Sequence, residues 1–184
     1  MRIKKQILTI KTCISSADFD KALNLTRDYF SWLDMNLSFQ DIEDEFRNFS
    51  TMYGKAEGCF LLASLQEELI GGVAFRKLTR QICEMKRLFV FEKYQGKGIG
   101  EILCRELIKI ASSRKYQKMR LDTVGKLYKA NRLYEKLGFK DIEAYRENPE
   151  PSARFMEIDL RSATILTPEK PAKIIRYEIN RVFL

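Results

Sequence analysis

The chain has 184 residues, 45% of them hydrophobic and 11% aromatic, enough for one domain with a substantial core, and its formal net charge is +8. It contains no histidine, which excludes Ser-His-Asp and Cys-His catalysis, HExxH zinc sites and histidine proton shuttles. Proton transfer then falls to carboxylate, tyrosine, lysine, cysteine or water. The positive charge suggests anionic partners, whether nucleic acid, an acidic substrate or a phosphorylated cofactor, and does not choose between them. Cys13, Cys59, Cys83 and Cys104 lie far apart in apolar surroundings and read as buried free thiols, which fits a reducing cytoplasm. The basic start Met1 to Lys5 leads into a stretch too short and too polar for a signal peptide, and no run approaches the length of a membrane span.

In chain order, residues 3–12 alternate around Ile7, Leu8 and Ile10 and predict a first strand. Ser15 and Ser16 offer a helix cap, and Phe19, Ala22, Leu23, Thr26, Tyr29, Phe30 and Leu33 follow at helical spacing. Ser38 with Asp41 resembles a capping arrangement for a second helix carrying Phe39, Ile42, Phe46 and Phe49 and ending before Thr51. Residues 59–65 and 69–78 predict two strands of a hairpin joined at Gln66-Glu67-Glu68, with Gly71-Gly72 marking a bulge or a close backbone approach. A strand over 82–91, a helix from Ile99 to Ala111 and a strand over 118–123 come next, the two strands being parallel if the helix crosses over. A helix from about Lys126 to Leu137 is terminated by Gly138, and two last strands over 140–146 and 154–160 flank a loop with Pro149 and Pro151. One domain over 1–160 is expected. Residues 161–184 form a C-terminal extension in which 174–183 alternate as a possible extra strand, for packing on the domain or for a homodimer contact.

The passage from strand to helix around Gln95 to Gly100 is the chemically informative stretch. Gly96, Gly98 and Gly100 remove side chains that would block a ligand from the backbone, and a helix beginning there points unpaired N–H groups and a positive dipole end outward, as a phosphate cradle does. A P-loop is excluded because Lys97 is followed by Gly98 rather than Ser or Thr. A dinucleotide GxGxxG fits at Gly96 and Gly98, with Asp122 at a suitable distance for a ribose, but has Glu101 at its third glycine, and the chain shows no second βαβαβ half.

Gln95-Gly96-Lys97-Gly98-Ile99-Gly100 matches the Q/R-x-x-G-x-G/A signature of the GCN5-related N-acetyltransferases. About thirty residues on, Asn131 to Phe139 resembles that superfamily's N-x-x-A/L-x-x-(L)Y-x-x-x-GF segment. The resemblance is clear from Cys59 to Leu160. It implies an α/β (α+β) fold with a mixed central sheet of about seven strands, helices on both faces and the order β-α-α-β-β-β-α-β-α-β-β. It also implies acetyl transfer from acetyl-CoA to a primary amine of a small molecule or peptide in a ternary complex, with no metal. The same pocket would also suit a non-catalytic acyl-CoA sensor or a nucleic-acid-associated binding protein, though nucleic acid is the less expected partner and no membrane is implied.

By that resemblance the backbone of Gln95, Gly96, Lys97, Gly98, Ile99 and Gly100, with the Lys97 side chain, should bind the pyrophosphate, and the backbone of Leu88, Phe89 and Val90 should pair with the pantetheine arm. Tyr134 would be the acid that protonates the leaving thiolate, against a reading as a packing tyrosine, and Asn131 would hydrogen-bond pantetheine, against a reading as a helix-surface amide. Glu84 is the candidate base, directly or through water, its proton affinity raised by burial. The competing reading is an ion pair with Lys86 or Arg87. Alternation puts Glu84 and Lys86 on one face of the strand and Met85 and Arg87 on the other, while Asp122 reads as a cap for the following helix. By the same resemblance Trp32, Met35, Asn36, Leu37 and Phe39 would wall the acceptor pocket, against the favoured reading of most of them as core packing.

Overall fold

The structure, a computed structural model, describes residues 6–34, 42–54, 57–161 and 174–179. The expected start of the first strand, the Ser38 cap and the run Met35 to Phe39 lie outside these residues. Strand β1 (Gln6–Thr12) leads to α1 (Ser16–Leu33), two short helices α2 (Ile42–Arg47) and α3 (Phe49–Gly54), and then β2 (Cys59–Leu65), β3 (Glu68–Lys77) and β4 (Ile82–Val90). Helix α4 (Ile99–Ser113), β5 (Lys118–Thr123), α5 (Tyr128–Leu137), β6 (Lys140–Ile142), β7 (Arg154–Asp159) and β8 (Ile174–Ile179) follow. The eight strands form one sheet in the order β6-β7-β5-β4-β3-β2-β1-β8. β4 and β5 run parallel and the other neighbours are antiparallel. Among the described residues no helix is long and apolar enough to cross a membrane.

Alternation along the strands builds two cores. Leu8 and Ile10, Leu61 and Ala63, Val73 and Phe75, and Cys83 and Met85 face the side covered by α4, where Leu103, Cys104, Leu107 and Ala111 pack with Tyr134 and Phe139. Phe60, Leu62, Ala74 and Phe89 face the other side, where Ala22 and Leu25 of α1 meet Phe49 and Tyr53 of α3. Helix α1 starts with a capping box: Ser15 Oγ accepts from the Asp18 amide at 3.2 Å, and the Asp18 carboxylate accepts from the Ser15 amide at 3.1 Å. The four cysteines are free and buried, and burial pushes the Cys59 thiol up to about 12 and the other three higher still.

The structure differs from the sequence pattern in a few places, each with a local cause. The expected second helix is two, broken at Asn48, and continues past Thr51 because Phe49 and Tyr53 are one helical turn apart and both enter the core. The hairpin turn is Gln66-Glu67, with φ of +50° and +75°, the backbone that a two-residue type I′ turn requires, here without glycine. The strand expected to reach Arg146 ends at Ile142, since Tyr145 and Arg146 fold back over the sheet to meet Glu84 and Asp122.

Both readings of Gly71-Gly72 hold. A Cβ on Gly72 would lie 2.7 Å from the Leu61 carbonyl oxygen, and one on Gly71 would lie 2.6 Å from that of Phe89. Beside Gly71 the register with β2 passes from Ala63↔Gly71 to Ser64↔Leu69, a bulge of β3 at Ile70; on the other side it passes from Gly72↔Phe89 to Ala74↔Lys86, so β4 carries a second bulge, at Arg87, where φ is +60°. Beyond the bulge the phase of β4 reverses. Leu88 packs with the α4 side, Phe89 with the α1 side and Val90 with the α4 side. Gly72→Ala should therefore lower the urea midpoint by an amount equivalent to about 1–3 kcal/mol, through overpacking between two backbones. An unchanged midpoint would mean that β2 and β3 can part there at little cost.

Candidate active site

The glycine turn closes one end of a cleft. After β4, Gln95 Nε2 donates to the Val90 carbonyl at 2.9 Å and ties the turn to the strand it leaves. Gly96 and Gly98 hold φ of +74° and +82°, a backbone that side chains strain, and the space beside each is open to 4 Å. Helix α4 begins at Ile99, its first intrahelical bond running from the Ile102 amide to the Gly98 carbonyl at 3.1 Å, so the amides before Ile102 have no partner within the helix. The other end opens between two strands. β4 and β5 pair only from Ile82↔Lys118 to Glu84↔Arg120, although β4 runs on to Val90 and β5 to Thr123. The separation leaves a cleft of about 620 Å³ lined by Met85 to Val90, Gln95 to Gly100 without Lys97, Leu121 to Val124, and residues of α1 and α5.

The structure brings most of the expected site residues to this cleft. Leu88, Phe89, Val90, Gln95, Gly96, Gly98, Ile99, Gly100 and Tyr134 line it. Tyr134 is buried, with its ring at 5.8 Å and 61° to that of Phe139, and among the described residues its hydroxyl forms no hydrogen bond. Burial above all, with Cys104, Tyr29 and Asp122 adding to it, raises this phenol well above its ordinary range, so it keeps its proton at neutral pH. The wall toward α1 is aromatic: Tyr29 and Trp32 each stand 5.6 Å from Phe89, and the Trp32 indole N–H donates to Glu92 at 2.8 Å.

Four of the expected residues have surroundings other than the resemblance implied. Asn131 does not line the cleft. Its Oδ1 accepts from the Thr123 hydroxyl at 2.7 Å and its Nδ2 donates to the Val124 carbonyl at 3.1 Å, so the amide fastens α5 to the end of β5. Lys97 also lies off the lining, its ammonium 5.6 Å above the Tyr94 ring. Asp122 is part of β5 and caps nothing: it accepts from Arg146 and, at 3.1 Å, from Asn148.

Glu84 is the fourth. Fully buried and absent from the lining, it accepts from Arg76 Nε and from the Tyr145 hydroxyl, both at 2.8 Å, with Arg146 at 3.6 Å and Lys86 at 3.7 Å. Burial alone would raise its proton affinity, but the charges of Lys86, Arg76 and Arg146 together overturn that and hold it at about 2. It is an ion-pair partner of Lys86, as the competing reading had it, and not of Arg87. A carboxylate so held is a poor proton acceptor.

Arg87 lies on the same face as Lys86, against the alternation, because the bulge at its left-handed backbone turns its side chain to the α1 side. There it makes a two-pronged ion pair with Glu45 of α2, Nε to Oε1 at 2.8 Å and Nη2 to Oε2. The Tyr53 hydroxyl donates to the same Glu45 carboxylate at 2.7 Å, and the guanidinium sits 4.6 Å above the Phe30 ring. Sequence reasoning passed over Glu45, Tyr145 and Arg146, whose partners lie 42, 61 and 24 residues away.

A family model for the acetyltransferase (GNAT) family matches residues 19–139 of the chain. An uncharacterised N-acetyltransferase of Schizosaccharomyces pombe is 32% identical over 160 residues, covering 86% of this chain and 98% of that one. The N-acetylaspartate synthetase of Xenopus tropicalis is 36% identical over 92 residues, 49% of this chain but only 34% of its own length. Among solved structures, the PaiA N-acetyltransferase of Thermoplasma acidophilum in complex with coenzyme A aligns with a TM-score of 0.60 at 21% identity, over 82% of this chain and 98% of that one.

The charge network around Glu84 sets a pH dependence. Its folded pKa lies below the ordinary 4.5, so the stability it contributes is complete above that value and is lost as pH falls toward about 2. Glu84→Gln, which leaves Arg76, Lys86 and Arg146 without their shared anion, should cost about 3–5 kcal/mol at neutral pH. Urea titrations between pH 6 and pH 2 should show the gap between wild type and variant narrowing below about pH 4.5. A constant gap would mean that packing, not charge, sets the loss.

Proposed function

The chain belongs to the acetyltransferase (GNAT) family, and from that premise we propose that it moves an acetyl group from acetyl-CoA to the primary amine of a small molecule or peptide, by direct attack in a ternary complex. The observation that carries this reading is the joining of two features in one cleft: the left-handed glycine turn at the start of α4, and the parted strands β4 and β5, with Tyr134 on the lining.

The donor set suits the cosubstrate. Amides of Gly96 to Gly100 at a helix start, beside glycines that leave the approach open, suit a pyrophosphate. The edge of β4 after Glu84, free of β5, offers backbone groups of the Leu88 to Val90 stretch to an amide-bearing arm. When bound, acetyl-CoA supplies the activated thioester. The chain's own residues hold and orient it, and the aromatic wall of Tyr29, Trp32 and Phe89 narrows the cleft around the reacting groups. Tyr134 holds a proton at its hydroxyl, engaged with no other described residue, and donates it to the sulfur as the carbon–sulfur bond breaks; the proton that the amine sheds on forming the carbon–nitrogen bond passes to water, which restores the phenol. Asn131 acts indirectly, by setting the position of α5 and hence of Tyr134. Glu84 is not assigned the role of base; it neutralises the cations around it.

The acceptor is an amine. Relatives called N-acetylaspartate synthetase support an amino acid among the candidates. Two measurements test the reading. Tyr134→Phe should lower kcat about a hundredfold or more with acetyl-CoA affinity by calorimetry unchanged, whereas undiminished turnover would assign the ring to packing on Phe139. Gly98→Val, which strains the left-handed backbone and puts branched carbon over the amides, should abolish acetyl-CoA binding in a folded protein. Retained affinity would remove the cradle.

A further inference from the structure

Resting on the acetyltransferase reading, we propose that the acceptor carries a carboxylate close to the amine that is acetylated, and that Lys86 is the residue that binds it. Lys86 stands on β4 just before the bulge and lines the cleft with a side chain only 3% exposed. Its ammonium has three N–H donors, yet among the described residues it makes no hydrogen bond: its nearest carboxylate oxygen, on Glu84, is 3.7 Å away. Lys129 and Arg132 of α5, which also line the cleft, are exposed to solvent, whereas other charged groups of the lining are engaged. Arg87 is held by Glu45, Asp122 accepts from Arg146 and Asn148, Lys126 donates to the Leu33 carbonyl at 2.6 Å, and Glu92 accepts from Trp32.

The charges around Lys86 do not balance. Among the described residues four cations, Arg76 of β3, Lys86 and Arg87 of β4 and Arg146 of the segment after β6, stand with three carboxylates, Glu45 of α2, Glu84 of β4 and Asp122 of β5, beside the neutral phenols of Tyr29 and Tyr145. Within that set the cations outnumber the anions by one. The cost falls on Lys86, whose burial first, and then the repulsion of Arg87, push its ammonium down to about 7. A buried ammonium with unused donors, facing a cleft within a set that has one cation in excess, is a receptor for a carboxylate. The aromatic wall beside it, Tyr29, Trp32 and Phe89, leaves room beyond the carboxylate for a compact amine. An amine joined to a carboxylate is an amino acid, or a peptide end of like chemistry. A polyamine would bring more positive charge to a site that already has an excess.

The test has two stages. Calorimetry first establishes that the wild type binds acetyl-CoA; no binding overturns the enzyme reading and this inference together. Given binding, thiol release is then followed with L-aspartate, L-glutamate and neutral amino acids, each against its carboxamide, and with spermidine. Turnover of at least one amino acid, with its carboxamide and spermidine at least tenfold poorer in kcat/KM, is the expected result. Equal use of the carboxamides, or turnover of none of the amino acids, overturns the acceptor assignment and leaves the cofactor reading standing. Lys86→Met should raise KM for the preferred acceptor at least tenfold without changing acetyl-CoA affinity, and Lys86→Arg should restore much of it. An unchanged KM in Lys86→Met overturns the role of Lys86. Direct binding of the same amino acid to the CoA-saturated protein should weaken in parallel, a change that a residue acting only on folding would not produce.

Discussion

Arg87 holds a φ of +60°, and most of what the cleft can do depends on that one left-handed residue. A backbone of this kind costs on the order of 1–3 kcal/mol in a non-glycine residue, so it persists only where its surroundings compel it. Here the compulsion is a buried, two-pronged ion pair with Glu45, further bonded by Tyr53 and covered by the Phe30 ring. The bulge turns two consecutive cationic side chains to one face, and it reverses the phase of β4 so that Phe89 joins the aromatic wall. It also lies within the stretch over which β4 is no longer paired with β5, the stretch that forms the cleft. Helix α2, only six residues long, is held to the sheet by the same carboxylate.

The electrostatics of the interior have two layers. Around Glu84 and Asp122, carboxylates and guanidinium groups pair with one another, with Arg146 Nε a buried donor that has no hydrogen-bond partner among the described residues, and the Glu84 carboxylate is held far into its charged form. Lys86 sits at the inner edge of that layer and is the member whose charge is least supported. Buried ion pairs contribute little net stability compared with apolar packing, and removing one partner is expensive. Such a network in the middle of a sheet makes more sense as a rigid frame around a charge that faces a cleft than as a device for stability.

The strands, the α4 crossover and the glycine turn were legible because each rests on local signals: alternation, helical spacing, glycine before a helix. Strand β2 and strand β5 follow their apolar patterns from end to end. Tyr134 was legible from its spacing within a motif, and Gly71-Gly72 from the absence of side chains where two backbones meet. What escaped is what depends on partners far along the chain. Alternation assigned Arg87 to the wrong face because a bulge has no sequence mark when the left-handed residue is arginine. Glu84 resembled a carboxylate raised by burial because Arg76 and Arg146 come from other elements, and Asn131 resembled a ligand contact because its bonds to Thr123 and Val124 depend on how α5 folds back on β5. Asp141 and Arg154, which join across the short β6, belong to the same class.

The buried cysteines have a practical bearing that extends beyond packing. All four thiols are held in the protonated state by the apolar interior, and a thiol that keeps its proton is a slow nucleophile. In the folded molecule reaction with alkylating and disulfide reagents is therefore expected to be slow. Cys59 and Cys83 lie in the sheet, Cys104 in α4 and Cys13 at the end of β1, so covalent labelling of each requires the opening of a different part of the fold. The chain carries four built-in chemical clocks, whose rates under native conditions report how often each region breathes.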